Sequence, residues 1–333
     1  MKTSLRHTLH VLALSGIFFL LCLAAGPFIG PQPLNFTEAW AHRMNPSLSP
    51  DAAILFQARI PRVLFAALAG AALSAAGVAF QALLRNPLAT PYTLGVSSGA
   101  ACGAVLGMLL GFHHTVGGVP AIQISGMTGA LLTVLLVYWL GRKTGGSTHT
   151  LLLSGVTLSF FFAACIMFMQ YLADFTQSYR IIHWLMGNLD IADYDTFYRT
   201  LPGVALAIIG LWLLSSEYNL LSAGEESART RGVNIKRNYL VTYLCASVAV
   251  ALVVCVAGPI GFVGLIVPHT LRLMVGPDHR ILLPASALCG AGFLILCDAA
   301  ARTVFAPAEL PVGVLTAILG GPFFLVILLR KRH

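Results

Sequence analysis

Few residues in this 333-residue chain have the type and spacing for chemistry, and each has a plainer role beside it. GVSSG at 95–99 fits the GxSxG pattern that exposes a nucleophilic serine, here Ser97, on a sharp strand-to-helix turn. It opens a glycine-rich apolar stretch, with no strand before it and no obvious histidine and carboxylate partners, so helix packing is the stronger account. Asp298 is the one acidic residue inside an apolar run, where an ion-coupled carrier would need a carboxylate. Arg302 follows four residues later on the same helical face, and a structural pair is preferred to a proton relay. The zinc-peptidase pattern HExxH is absent, and the histidines at 113, 114, 149, 183, 269 and 279 are scattered. A nucleotide-hydrolysing loop needs GxxxxGK[ST]; the nearest stretch, GRKTGG at 141–146, has the wrong spacing. The cysteines, among them Cys102, Cys165, Cys245, Cys255 and Cys297, lie in or near apolar runs without CxxC or Cys/His spacing. These residues predict neither an enzyme nor a metal site or cofactor held by this chain.

Charges at two places ask for a different explanation. Arg59 and Arg62, in RIPR, stand at the start of an apolar run, with Pro61 suited to a helix's first turn. They can snorkel to headgroups, or form a fixed basic patch that docks an acidic partner. The second place is GEESARTRGVNIKRN, 224–238, a polar island with carboxylates first and bases later, as a helix dipole favours.

The elements that must position these residues are membrane spans. Mean hydropathy is +0.83, 57% of residues are hydrophobic and 10% are charged, against about a quarter charged in soluble domains. Crossing the hydrocarbon takes about 20 apolar residues. Ten windows meet or approach that: 9–30, 62–84, 91–111, 120–141, 150–172, 201–216, 239–257, 259–275, 281–301 and 311–329. The first follows Lys2 and Arg6, like a secretory signal, and is expected to stay as a span. With the N-terminus inside, fourteen of the twenty Lys and Arg fall on the inner side and six outside, which predicts cytoplasmic termini. The net charge of +8 is then mostly topology, and no nucleic acid is called for.

Small residues suggest how the bundle closes. Gly99, Gly103, Gly107 and Gly111 recur every four residues, and GAALSAAG at 70–77 repeats the device less strictly. GPIGFVGLIVPH (258–269) is broken by Pro259 and Pro268, and is either a substrate or hinge region or a bent helix in a tight bundle. Ile181, Ile182, Trp184, Leu185 and Met186 predict a short interfacial helix on the outer side.

RIPRVLFAALAGAALSAAGVAFQALLRNPLATPYTLGVSSGA (59–100) resembles the signature stretch of the iron-siderophore, haem and cobalamin permeases, the transmembrane subunits of type II ABC importers. HWLMGNLD (183–190), GEESARTRGVN (224–234), GPIGFVGLIVPHTLRL (258–273) and AELPVGVLTAILGGPFF (308–324) resemble its later signatures, in order. The resemblance covers nearly all of the chain. It implies an all-α polytopic fold of about ten spans, one permease domain over 1–333, in a bacterial inner membrane.

It also implies partners: a second copy of the chain, two cytoplasmic ATPase subunits holding ATP and Mg, and a two-lobed periplasmic binding protein. In the family's cobalamin importer, arginines of the motifs matching RIPR and DAAAR receive a glutamate from each lobe, which points here to Arg59, Arg62 and Arg302. The cytoplasmic gate maps to Asn86 and Leu88, and a second gate to Thr148 and His149, where the family carries a small polar residue in place of the histidine. The segment 219–238, with Gly224, Glu225, Glu226, Ala228, Arg229, Gly232 and Val233, becomes the coupling element for the ATPase. The expected function is ATP-driven import of a bulky metal chelate. A ferric siderophore is placed first because such members are most numerous, with haem or cobalamin as alternatives. An intramembrane hydrolase using Ser97 and an ion-coupled carrier using Asp298 are the rivals from other classes.

Overall fold

A backbone in hydrocarbon must satisfy its own amides, which restricts these apolar runs to helices. The computed structural model describes residues 5–112, 114–143, 148–190 and 192–330. Its helices are α1 (Leu5–Ala25), α2 (Phe36–Ala41), α3 (Pro50–Ala52), α4 (Ile60–Leu83) and α5 (Val96–Leu109). After a two-stranded hairpin, β1 (Thr115–Val116) and β2 (Val119–Pro120), come α6 (Ala121–Lys143), α7 (Thr148–Leu172), α8 (Phe175–Leu185), α9 (Tyr194–Leu213) and α10 (Ser215–Leu221). The chain ends with α11 (Glu225–Thr230), α12 (Ile235–Ala257), α13 (Val263–Val275), α14 (His279–Thr303) and α15 (Val312–Arg330).

Seven helical stretches are long and apolar enough to cross a membrane, and α5, α13 and α15 supply three shorter apolar helices. Together they answer to the ten expected windows. Two boundaries differ. The marginal window at 201–216 is the longer α9, which starts at Tyr194 because Asp193 caps it by accepting the Thr196 N–H at 2.8 Å. That bonding to Thr196 also holds the Asp193 carboxyl below the usual carboxylate range. The window at 62–84 belongs to a continuous helical run from Pro50 to Leu83, so RIPR lies within a helix instead of opening one.

Helix α4 is buried along nearly its whole length, with α14, α12 and α13 as its main neighbours. Close approach is possible because Gly70 faces the backbone of Gly290 and Gly77 that of Gly264, where a Cβ would have no room. The strip on α5 works likewise: Gly99, Gly103 and Gly107 abut Thr133 and Ser125 of α6. Gly111 does not join them; it has left the helix at φ +70°. The outer helix α8 forms where expected, closed by a capping box of Asp174 and Gln177. Helix α7 keeps only 11% of its most apolar window buried, and presents Phe160, Phe161, Met167 and Phe168 outward.

The interruption in 258–269 falls at its start. Gly258 (φ +70°) and Phe262 (φ +64°) separate α12 from α13. Pro268, however, does not break the chain; it sits inside α13. A proline cannot donate to the carbonyl four residues back, here Gly264, and the Gln81 Nε2 of α4 donates to that oxygen instead at 3.1 Å. Gln81 Oε1 in turn accepts from Arg272 Nη2 at 2.8 Å.

Candidate functional site

The predicted outer arginines do converge. Ahead of Pro61 the helix widens into a π segment, Ala53–Arg59, in which the Ile60 N–H bonds to Leu55 O, five residues back. The wider turn accommodates a proline that has no N–H and crowds preceding carbonyls. Arg59 and Arg62, three residues apart, then share a face, opposite Arg302 in the last turn of α14.

All three guanidiniums are buried, and so is Asp298 between two of them. Arg62 Nε meets Asp298 Oδ1 at 2.9 Å, and Arg302 Nε meets Oδ2 at 3.1 Å. Arg62 Nη1 also contacts Glu309 Oε2 at 2.8 Å and the carboxylate of Asp190. Arg59 donates to the carbonyls of Pro27 (3.3 Å) and Gln32 (2.7 Å), and Arg302 to that of Gly26 (3.3 Å). Burying a charge is tolerable only when it is paired and hydrogen-bonded, and this arrangement supplies both. Among the described residues, Arg62 Nη2 and Arg302 Nη1 meet no acceptor. A pocket of about 450 Å³ lies against the cluster, lined also by Gln32, Gln57, Asp193 and Glu309.

The expectation was a fixed basic patch, and the structure adds carboxylates to it. Arg62 and Arg302 are already paired with Asp298, Asp190 and Glu309, and Arg59 with backbone carbonyls. Asp298 was expected to pair with Arg302 alone, yet it bridges Arg302 and Arg62. Asp190 and Glu309 went unnoticed as partners. Both lie in the signature stretches HWLMGNLD and AELPVGVLTAILGGPFF, where the local signal is an acidic residue at one end of a mostly apolar segment.

The opposite end of α4, at Leu83, leads to the polar island. The Tyr239 hydroxyl donates to Leu83 O and to Glu225 Oε1, each at 3.2 Å. Arg85, in a left-handed conformation (φ +46°), pairs with the same Glu225 oxygen at 3.3 Å. Helix α11 starts after Gly224 (φ +111°) and is followed by Gly232 (φ +86°), conformations that favour glycine. Ala228 and Val233 face inward, while Glu226, Arg229 and Arg231 are exposed. The platform beneath is polar: Asn238 donates to Glu217 at 3.0 Å, and Tyr218 meets Thr242 at 2.8 Å.

Of the proposed gate, Leu88 is exposed and lines a cavity of about 630 Å³ with Tyr92, Met186, Pro259, Phe262 and Gly313. Asn86 does not line it; its Oδ1 accepts the Leu88 N–H at 2.9 Å and shapes the turn. Thr148 and His149 begin α7, but their side chains lie outside the described residues, as do residues 144–147. Ser97 is buried in α5, where its hydroxyl has no hydrogen-bond partner among the described residues and no strand precedes it. That is not the setting of a nucleophile.

Comparison with known proteins gives a consistent picture. The family model described as the FecCD transport family matches residues 16–330. The hemin transport system permease HmuU of Yersinia pestis is 36% identical over 320 residues, covering 95% of each chain. The vitamin B12 import permease BtuC of Escherichia coli is 40% identical over 285 residues, 84% of each. A solved chain described as an inward-facing metal-chelate type ABC transporter superposes with a TM-score of 0.82 at 32% identity, over 96% of this chain and 99% of its own.

Proposed function

The chain belongs to the FecCD transport family, the permease subunits of ABC importers, and from that premise we propose which parts of it do the work. It carries a bulky metal chelate, a ferric siderophore before haem or cobalamin, from periplasm to cytoplasm of a bacterial inner membrane by alternating access. The observation that carries this division of labour is the course of α4. Its first turn holds Arg62, with Arg59 in the π turn just before it, beside a pocket, and its other end leads into the Arg85–Glu225 pair on α11. One rigid element thus touches both a docking face and a coupling face.

At the outer face, a glutamate from each lobe of the binding protein docks against Arg59, Arg62 and Arg302. At the inner face, the exposed side of α11 seats on an ATPase subunit, with ATP and Mg bound there. Between them the apolar cavity behind Leu88 forms part of the pathway, which a second copy of the chain completes. No nucleic acid takes part, and the exposed apolar helices face lipid.

Reversal of Arg62 to glutamate is expected to weaken association of the importer's binding protein at low salt at least tenfold and to lower uptake in proportion. Unchanged association would remove the docking role. Titrating that binding protein with ferric siderophores, haem and cobalamin decides the cargo; tight binding of haem or cobalamin alone would overturn the siderophore assignment.

A further inference from the structure

Arg62 holds more carboxylates than one guanidinium needs. Asp298, wholly buried between Arg62 and Arg302, is a fixed partner. Asp190 and Glu309 are different: their side chains are 42% and 36% exposed, and both meet the same nitrogen, Nη1, at the edge of the 450 Å³ pocket. Because these two carboxylates are partly in water, either can be exchanged on Arg62 for another carboxylate in the same place at less cost than the buried Asp298 can. An acidic partner therefore has to replace these two side chains on Arg62 before it gains the contact.

The two acids sit on loops that are joined. Asn188 bonds to Asp190 through its side chain, and its N–H donates to Ala257 O at 2.7 Å. Leu310, next to Glu309, donates its N–H to Ala301 O at 3.0 Å. Between the loops, the Gly313 N–H donates to Gly187 O at 3.0 Å, and the two glycines pack so closely with Pro259 that neither has room for a Cβ. Met186, Pro259 and Gly313 are also one wall of the 630 Å³ cavity, facing Leu88, Tyr92 and Phe262. Asp190 is four positions along the chain from Met186, and Glu309 four positions from Gly313.

We propose that Asp190 and Glu309 form an internal latch on Arg62: a carboxylate of the docking binding protein takes Nη1 in their place, and their release loosens the Gly187–Gly313 junction that walls the cavity. This rests on the docking role of Arg62. A ligand shifts a conformational equilibrium only through contacts that differ between the states, and exchange at Nη1 is such a contact. The latch also tells a docked binding protein from an acidic surface passing by, because a partner without a well-placed carboxylate meets an arginine that is already paired.

The test uses the full-length permease with its ATPase in lipid nanodiscs. In Asp190→Asn/Glu309→Gln, phenylglyoxal is expected to modify Arg62 several-fold faster by peptide mass spectrometry, with Arg59 and Arg302 unchanged. Hydrogen–deuterium exchange is expected to rise in peptides spanning 186–190 and 309–315, while those of α12 stay at the wild-type rate. Glu309→Gln alone gives the same direction at smaller size if the double variant assembles poorly. Wild-type labelling and exchange in both variants would overturn the latch. Association of the binding protein separates the two ideas: if Arg62→Glu abolishes it while latch variants label and exchange normally, docking stands and the latch falls. If Arg62→Glu leaves it intact, docking falls, and with it the trigger assigned to the latch.

Discussion

Asp298 is where a single atom change says most about this chain, because two buried guanidiniums lean on one carboxylate. Removing one member of a buried charge network leaves the others unpaired, at a cost of about 3–5 kcal/mol. Asp298→Asn is therefore expected to lower the melting temperature of the detergent-solubilised protein markedly, with Asp298→Glu recovering part of the loss. A proton-relay role predicts the opposite pattern, unchanged stability with uptake abolished. The pairing with Arg302 was legible from the four-residue spacing. The pairing with Arg62 was not, because the partners are 236 positions apart in the chain and nothing local marks them as neighbours.

At the scale of elements, proline and glycine decide what a sequence can show. Spans were legible because unbroken apolar length is a physical requirement of the bilayer, and α8 because its apolar residues cluster on a short outer segment. Pro268 misled for an equally physical reason. The carbonyl it leaves unserved, on Gly264, is reached by Gln81 from another helix, a tertiary remedy invisible in local pattern. A lone glutamine in the apolar α4 was the available clue. Gln81→Leu should leave Gly264 O and Arg272 Nη2 without that partner and cost about 1–3 kcal/mol, seen as a lower unfolding midpoint; no change would mean the bonds are dispensable. At the proposed coupling segment, Gly232 has open space around it, so its φ of +86° is what a side chain would disturb. Gly232→Val should strain α11 by about 1–2 kcal/mol and reduce transport-linked ATP hydrolysis while the bundle still assembles. Full hydrolysis and uptake in that variant would argue against α11 as the coupling element.

For the whole molecule, the helices sort by what they touch. Helix α4 is enclosed by its neighbours, while α7 and parts of α15 offer long apolar faces suited to lipid or to a second copy. No phosphate-binding loop occurs in the sequence, and the exposed charges of α11 are the proposed seat for a partner that has one. The engine is expected on another chain and the cargo path in this one. The direct test is uptake of a ferric siderophore into proteoliposomes holding this permease, with binding protein outside and ATP within. Uptake is expected to require the ATPase subunit and ATP and to persist when the proton gradient is collapsed. Uptake that continues without the ATPase, or stops with the gradient, would contradict the account.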